Sequence, residues 1–302
     1  MRAAILTALI VAAIAATPAA AWTRPGHMVA AAIVWDELAR THPETLGKLT
    51  ALLAEHPDKG PFQVAIDRTE GEARDQRLFL ESARWPDDIR TGPHDRPTWH
   101  YRLRPVVERG AAATPPHGAA LEAIALNAAV LADPAAPAAD RAVALCWLMH
   151  VVPDIHQPLH SAERVGPDWP AGDQAGSKAF ALDPQTGKPI SLHWFWDDLI
   201  HRDGAADAAF ARARALAARH PRASLRGLAA AEPQQWLDES HALARTLAYR
   251  ADAPRAVSPE TARAATRAYA AAAQAAAEER LTRAAYRLAD LLARLMAPPA
   301  KP

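Results

Sequence analysis

Residues 150–160 read His-Val-Val-Pro-Asp-Ile-His-Gln-Pro-Leu-His, which puts His150, Asp154, His156 and His160 within eleven residues. His150 and Asp154 are four apart, so on a helix they share a face. His160 follows Pro158, where a helix has to end. An imidazole and a carboxylate one turn apart can hold one divalent cation, and a donor beyond the helix end can reach another. A second His-x-x-x-Asp pair, His193 and Asp197, repeats the spacing. His27, Asp87 in the run Trp-Pro-Asp-Asp-Ile-Arg and His100 between Trp99 and Tyr101 add three more donors. A buried patch of hydrogen-bonded histidines would explain one such pair; the repeated pattern favours metal. Imidazole with carboxylate suits zinc, and the absence of cysteine ligands argues against a purely structural zinc finger. Trp85, Trp99, Trp194 and Trp196 flank these donors and could wall a site or fill a core. His156 is read either as a partner supporting a ligand or as a structural hydrogen-bonding residue.

The elements that must position these groups read as helix after helix. Apolar residues recur at helical spacing over residues 26–40, with Pro25 suited to a first turn. Further helices are expected over 44–54, 72–83, 118–131 and 138–152. Residues 164–190 are rich in Gly, Pro and Asp, and within them 178–182 and 189–192 can pair as a short hairpin. A helix over 192–201 follows. The Ala- and Arg-rich remainder has helical propensity over 207–219, 233–249 and 259–296, with Leu281, Leu288, Leu291, Leu292 and Leu295 as a packing stripe. No repeat or linker divides the chain, so residues 22–302 read as one all-α domain with a short β-hairpin.

The 302 residues are half hydrophobic, enough for a sizeable core. Thirty-four Lys and Arg balance thirty-four Asp and Glu. That excludes the strongly basic footprint of a general duplex-DNA binder. It does not exclude a nucleic-acid substrate, because bound metal adds positive charge. Residues 1–21 read as a signal peptide: Arg2, an apolar run over 5–16 too short to span a bilayer, then small residues 19–21 before a cleavage point. Cleavage there makes Trp22 the N-terminus and predicts an exported protein, periplasmic or secreted, with no membrane anchor after processing. Export permits disulfides, yet Cys146 is the only cysteine and sits in an apolar stretch, as a small buried hydrophobe.

Five motifs now stand in order: an N-terminal Trp with Gly-His after it, Trp-x-Asp-x-x-Arg, a His-aromatic step, His-x-x-x-Asp-x-x-Gln-Pro-Leu-His, and a late Leu-His-x-x-x-Asp. Together they make the whole mature chain resemble the zinc-dependent S1/P1 nuclease family, the 3'-nucleotidase/nucleases, with its phospholipase C/P1 nuclease fold. The resemblance implies three zinc ions. Asp87, His100, His150 and Asp154 would hold one; the amine and carbonyl of Trp22 with His27 and Asp154 a second; His160, His193 and Asp197 the third. Asp154 would bridge the close pair, which lowers the pKa of a shared water. Asp87, Asp154 and Arg90 would be the catalytic residues, Arg90 clamping phosphoryl oxygens. The implied substrates are single-stranded DNA and RNA, cut to 5'-mononucleotides, and 3'-nucleotides, with the protein a monomer.

Three positions depart from the family pattern. Pro153 replaces a usual Gly, and a kink is expected between His150 and Asp154. Residues 172–177 read Gly-Asp-Gln-Ala-Gly-Ser where the family has Gly-Gly-Asn, leaving Ser177 as the substrate-binding residue there. Leu103 stands where some members carry a base-reading Asp, leaving Tyr101 to stack on a base with little preference. Two other functions stay open: a zinc-dependent phospholipase C, and a non-catalytic zinc-binding protein on the same fold.

Overall fold

Two helices that are apolar on nearly every side set the architecture, because such helices are stable only when covered all round. In a computed structural model that describes residues 22–298, these are α1 (Arg24–Thr41) and α6 (Ala138–Asp154). Every residue from Gly26 to Trp35 of α1 is buried, as is every residue from Ala144 to Asp154 of α6. Around them lie α2 (Pro43–Ala54), α3 (Lys59–Arg68), α4 (Gly71–Asp88), α5 (Ala120–Ala132), the short α7 (Leu192–Asp197), α8 (Ala206–Arg219), α9 (Pro233–Leu243) and the long α10 (Arg267–Leu295). α1 packs on α4, α8 and α10; α6 packs on α4, α5 and α10. Trp22, Trp85, Trp147, Trp196 and Trp236 are fully buried. A buried Trp removes about 150–250 Å² from water, which stabilises by roughly 4–6 kcal/mol each before entropy is counted.

The mainly helical architecture agrees with the sequence reading, and the differences have local causes. α4 runs on to Asp88 rather than stopping near residue 83, through Pro86 in its last turn. α6 likewise runs through Pro153 to Asp154. The proline at which a kink was expected therefore lies one residue from the end of a continuous helix, and its missing N–H forgoes one bond, that to the Met149 carbonyl. In both helices a proline directly precedes the candidate ligand Asp. α7 ends at Asp197, short of residue 201. The segment expected as one helix over 233–249 is α9 followed by a π-helical turn, Ala244–Ala248. α10 starts at Arg267, not near 259; Pro259–Thr261 makes a separate 3-10 turn, and Thr266 Oγ1 caps the long helix by accepting from the Tyr269 amide. α3 was not expected.

The hairpin is present as β3 (Phe180–Leu182) against β4 (Pro189–Ser191), antiparallel, with Gly187 in the left-handed region at φ 68° in its turn. A second sheet was not expected: β1 (Arg104–Val107) pairs in parallel with β2 (Ala162–Val165), Arg104 opposite Ala162. It ties the segment after His100 to the segment after His160, and the Arg102 amide extends the tie to the His160 carbonyl at 3.0 Å. Among the described residues no helix is long and apolar enough to cross a membrane. The signal-peptide reading concerns residues 1–21, outside the described residues. Cys146 is a buried free thiol, as expected.

Candidate metal centre

The ends of the helices deliver the donors to one place. α6 contributes His150 and Asp154 from one face; α4 ends beside them with Asp87; α1 contributes His27. The 3-10 turns Pro97–His100 and Pro158–His160 present His100 and His160, and α7 presents His193 and Asp197. All eight residues are at most 3% exposed. Asp154 sits between three imidazoles: Oδ1 is 3.2 Å from His27 Nε2, and Oδ2 is 3.2 Å from His100 Nδ1 and 3.3 Å from His150 Nε2. His150 Nε2 also lies 3.0 Å from His100 Nδ1 and 3.7 Å from Asp87 Oδ1. The His27 ring stacks on His150 at 3.8 Å. On the other side His160 Nε2 is 3.2 Å from His193 Nε2, which is 3.2 Å from Asp197 Oδ2.

Main-chain carbonyls fix which nitrogen of three of the rings faces inward. His150 Nδ1 meets the Ala83 carbonyl at 2.7 Å, His160 Nδ1 that of His100 at 2.6 Å, and His193 Nδ1 that of Ala175 at 2.8 Å. With Nδ1 donating, each neutral ring turns an acceptor Nε2 toward its neighbours. The buried atoms His27 Nδ1 and Nε2, His100 Nε2, Asp87 Oδ2, Asp154 Oδ1 and Asp197 Oδ2 make no hydrogen bond. Polar atoms orphaned this way are costly, and here they converge. Burial pushes Asp154 well above the ordinary carboxylate range, with Asp87 and Asp197 adding to it, and burial does the same to Asp197 against the pull of Gln157. Burial first, then neighbouring histidines, hold His27 and His100 well below the usual imidazole range, and burial lowers His150. Buried acceptors gathered in this way could hold a metal ion. The donor set fits zinc by type and by the closeness of the donor atoms.

Three groups have donor atoms all within 4.8 Å of one another: His27, Asp87 and His150; His100, His150 and Asp154; His160, His193 and Asp197. The last coincides with the third set implied by the sequence. The first two overlap, and the contact of His27 with Asp154 links them. Trp22 is fully buried, its indole Nε1 donating to the Pro153 carbonyl at 3.0 Å. Arg90 donates from Nη2 to Asp87 Oδ1 at 2.8 Å and is 24% exposed, so it stands between the donor cluster and solvent.

Tyr101 is half-buried on Gly118, where a Cβ would come within 2.5 Å of the ring. Gly118 is also at φ 96°, so both the backbone and the close approach require glycine. Ser177 is partly exposed, with its amide donating to the Gln174 carbonyl. The altered loop that carries it is held by Asp173, whose Oδ1 accepts from the amides of Arg164 and Gly176 and from the Tyr249 hydroxyl. That loop supplies the Ala175 carbonyl which orients His193. Leu103 is buried and its backbone bridges to His117.

His156 turns away from the donors. Its Nδ1 meets the Val152 carbonyl at 2.8 Å and its Nε2 meets Arg287 at 3.0 Å, a structural role. Trp196 is core, its Nε1 donating to the Tyr269 hydroxyl, while Trp194 is 45% exposed and belongs to no core. Trp85 donates to Asp58, and Trp99 packs edge-on against Trp147. Two supporting residues escaped the sequence reading. Gln157 donates to Asp197 Oδ1 at 2.7 Å, and Trp147 packs its ring on His100 at 5.4 Å. Gln157 lies inside the run that drew attention first; Trp147 carried no signal beyond an apolar helix face.

A search of curated proteins returned no match. The family model for S1/P1 nuclease matches residues 22–297, and with that extent of match the chain belongs to the S1/P1 nuclease family.

Proposed function

We propose that the protein is an exported, zinc-dependent nuclease that hydrolyses single-stranded DNA and RNA to 5'-mononucleotides and removes phosphate from 3'-nucleotides. The observation that carries this reading is Asp154, a fully buried carboxylate in reach of three imidazoles. Asp87, His100, His150 and Asp154 would hold one zinc. His27 and Asp154, with the backbone amine and carbonyl of Trp22 once residues 1–21 are removed, would hold a second; His160, His193 and Asp197 a third. Zinc held there supplies positive charge against phosphoryl oxygens and an acidified water as nucleophile. Hydrolysis then adds water across the P–O3' bond, the 3' oxygen leaving as a hydroxyl and the phosphate staying on the other fragment.

The chain's own residues do the positioning. Asp154 keeps its two oxygens turned to different histidines. Gln157 orients Asp197, and the carbonyls of Ala83, His100 and Ala175 keep each ring's acceptor facing inward. Arg90, held by Asp87 and open to solvent, offers its remaining donors to a phosphoryl group as charge builds. Tyr101 offers a ring for stacking, and Ser177 a single hydroxyl for a phosphate or base. A stacking ring beside a recessed centre requires a base that can splay out, which favours single strands. Arg90 beside the donors disfavours a phospholipase C, whose cationic head group it would repel.

The test is direct. Protein lacking residues 1–21 is incubated with single- and double-stranded DNA, with 3'-AMP and with a choline phospholipid, with and without chelator. Chelator-sensitive cleavage of single strands and release of phosphate from 3'-AMP are expected. Chelator-resistant activity, phospholipid hydrolysis alone, or no phosphorus chemistry from zinc-loaded protein would sink the idea.

A further inference from the structure

Trp22, Thr23 and Arg24, the first residue of α1, together bond to the three helices that carry the Asp donors. The Trp22 indole donates to the carbonyl of Pro153, the residue before Asp154. The Thr23 amide donates to the carbonyl of Asp197 at 3.2 Å, and its hydroxyl donates to that of His201 at 2.9 Å. Arg24 donates from Nη2 to the carbonyl of Asp87 at 3.2 Å, and its Nε pairs with Asp88. Three of these bonds, to the carbonyls of Pro153, Asp197 and Asp87, land on main chain at or next to a candidate ligand, and one turn later the same helix delivers His27. Thr23 Oγ1 also accepts from the Gly26 amide, which fixes where that turn starts. Gly26 itself makes room: a Cβ there would lie 3.0 Å from Trp22 Cβ.

We propose that Trp22, Thr23 and Arg24 are positioning residues that clasp α4, α6 and α7 together at the metal centre, through side-chain and amide hydrogen bonds and separately from any metal ligation by the backbone of Trp22. The proposal rests on the metal-centre reading. Arg24 suits the task as arginine, because its fork reaches the Asp87 carbonyl and the Asp88 carboxylate at once. Groups that orient ligands without touching the metal typically change metal affinity by about 10–100-fold. A clasp acting on three donor-bearing segments belongs in that range, whereas a cap that only stabilises α1 does not alter affinity.

Protein beginning at Trp22 is compared with its Arg24→Gln, Arg24→Lys and Trp22→Phe variants. Zinc affinity is measured by competition with a chelator, and unfolding temperature in zinc-loaded and stripped forms. Arg24 is half exposed, so its replacement does not threaten folding. Expected is zinc binding weaker by about 10–100-fold in Arg24→Gln and Trp22→Phe, a narrower gap between loaded and stripped unfolding temperatures, and partial recovery in Arg24→Lys. Wild-type zinc affinity in both variants, with loaded and stripped forms losing stability equally, would overturn the proposal alone. A wild-type chain that takes up no zinc would overturn the metal-centre reading and this proposal with it.

Discussion

In the proposed function Asp154 carries the central role. Its two oxygens face different histidines, so one carboxylate reaches both the His27 side of the centre and the His100 and His150 side. Asp154→Asn keeps the shape and removes the charge. It is expected to lower kcat/KM by more than the roughly 100-fold that loss of an outer partner costs, read with 3'-AMP and single-stranded DNA; full activity would contradict the bridging role. Gln157 is the milder case. Gln157→Leu leaves the donors in place and deprives Asp197 of its hydrogen bond, so zinc affinity should fall about 10–100-fold while the far-UV circular dichroism stays unchanged. At this scale the sequence was most legible. Ligand types and the i, i+4 spacing are properties of side chains, and all eight predicted imidazoles and carboxylates converge. The carbonyls of Ala83, His100 and Ala175 could not be read, because every residue has a carbonyl and only the fold says where it points.

The helices end where the chemistry begins, and their ends are held by other helices. Beneath α6, Ser240 of α9 donates to the Ile155 carbonyl and Arg280 of α10 to that of His156. Arg280 and Arg287, both nearly buried, share Glu239. Burial raises the Glu239 carboxyl, but hydrogen bonds from Arg287 and Arg280 overcome this and bring it down to about 2. A carboxylate lowered on folding stabilises the fold above its ordinary range and loses that contribution as pH falls toward about 2. Glu239→Ala should therefore destabilise by about 3–5 kcal/mol by leaving buried guanidinium unpaired, seen as a lower urea midpoint near neutral pH. The difference from wild type should shrink as wild type is itself acidified. Sequence periodicity located most helices but not their exact ends. Pro153, where a kink was expected, and Pro86, where no helix was expected, are both last-turn residues of continuous helices. The four-residue strands β1 and β2 carry no alternation, and their pairing joins distant parts of the chain, so no local pattern announces them.

At the scale of the whole molecule, the centre draws on residues from His27 to Asp197, and the long α10 closes the bundle behind it. A site assembled from so many segments has its buried acceptors unsatisfied unless cations are present. Zinc binding is thus expected to stabilise the fold. Stripping with a chelator should lower the unfolding temperature, and adding zinc back should restore it in proportion to RT ln(1 + [L]/Kd); an unfolding temperature indifferent to chelator would speak against a buried metal centre. The family was legible in the order of five short motifs, none decisive alone, because their donors are far apart in sequence and meet only in the folded chain. The segment over residues 172–177 was legible as a departure, but its work in orienting His193 through Ala175 was not.

The most direct measurement is metal content and 3'-AMP hydrolysis determined on the same preparation of protein beginning at Trp22. Three zinc ions per chain are expected, with phosphate release that disappears on chelation and returns with zinc. A chain that binds no zinc, or that carries its full zinc and releases no phosphate, would contradict the assignment of His27, Asp87, His100, His150, Asp154, His160, His193 and Asp197 to a hydrolytic metal centre.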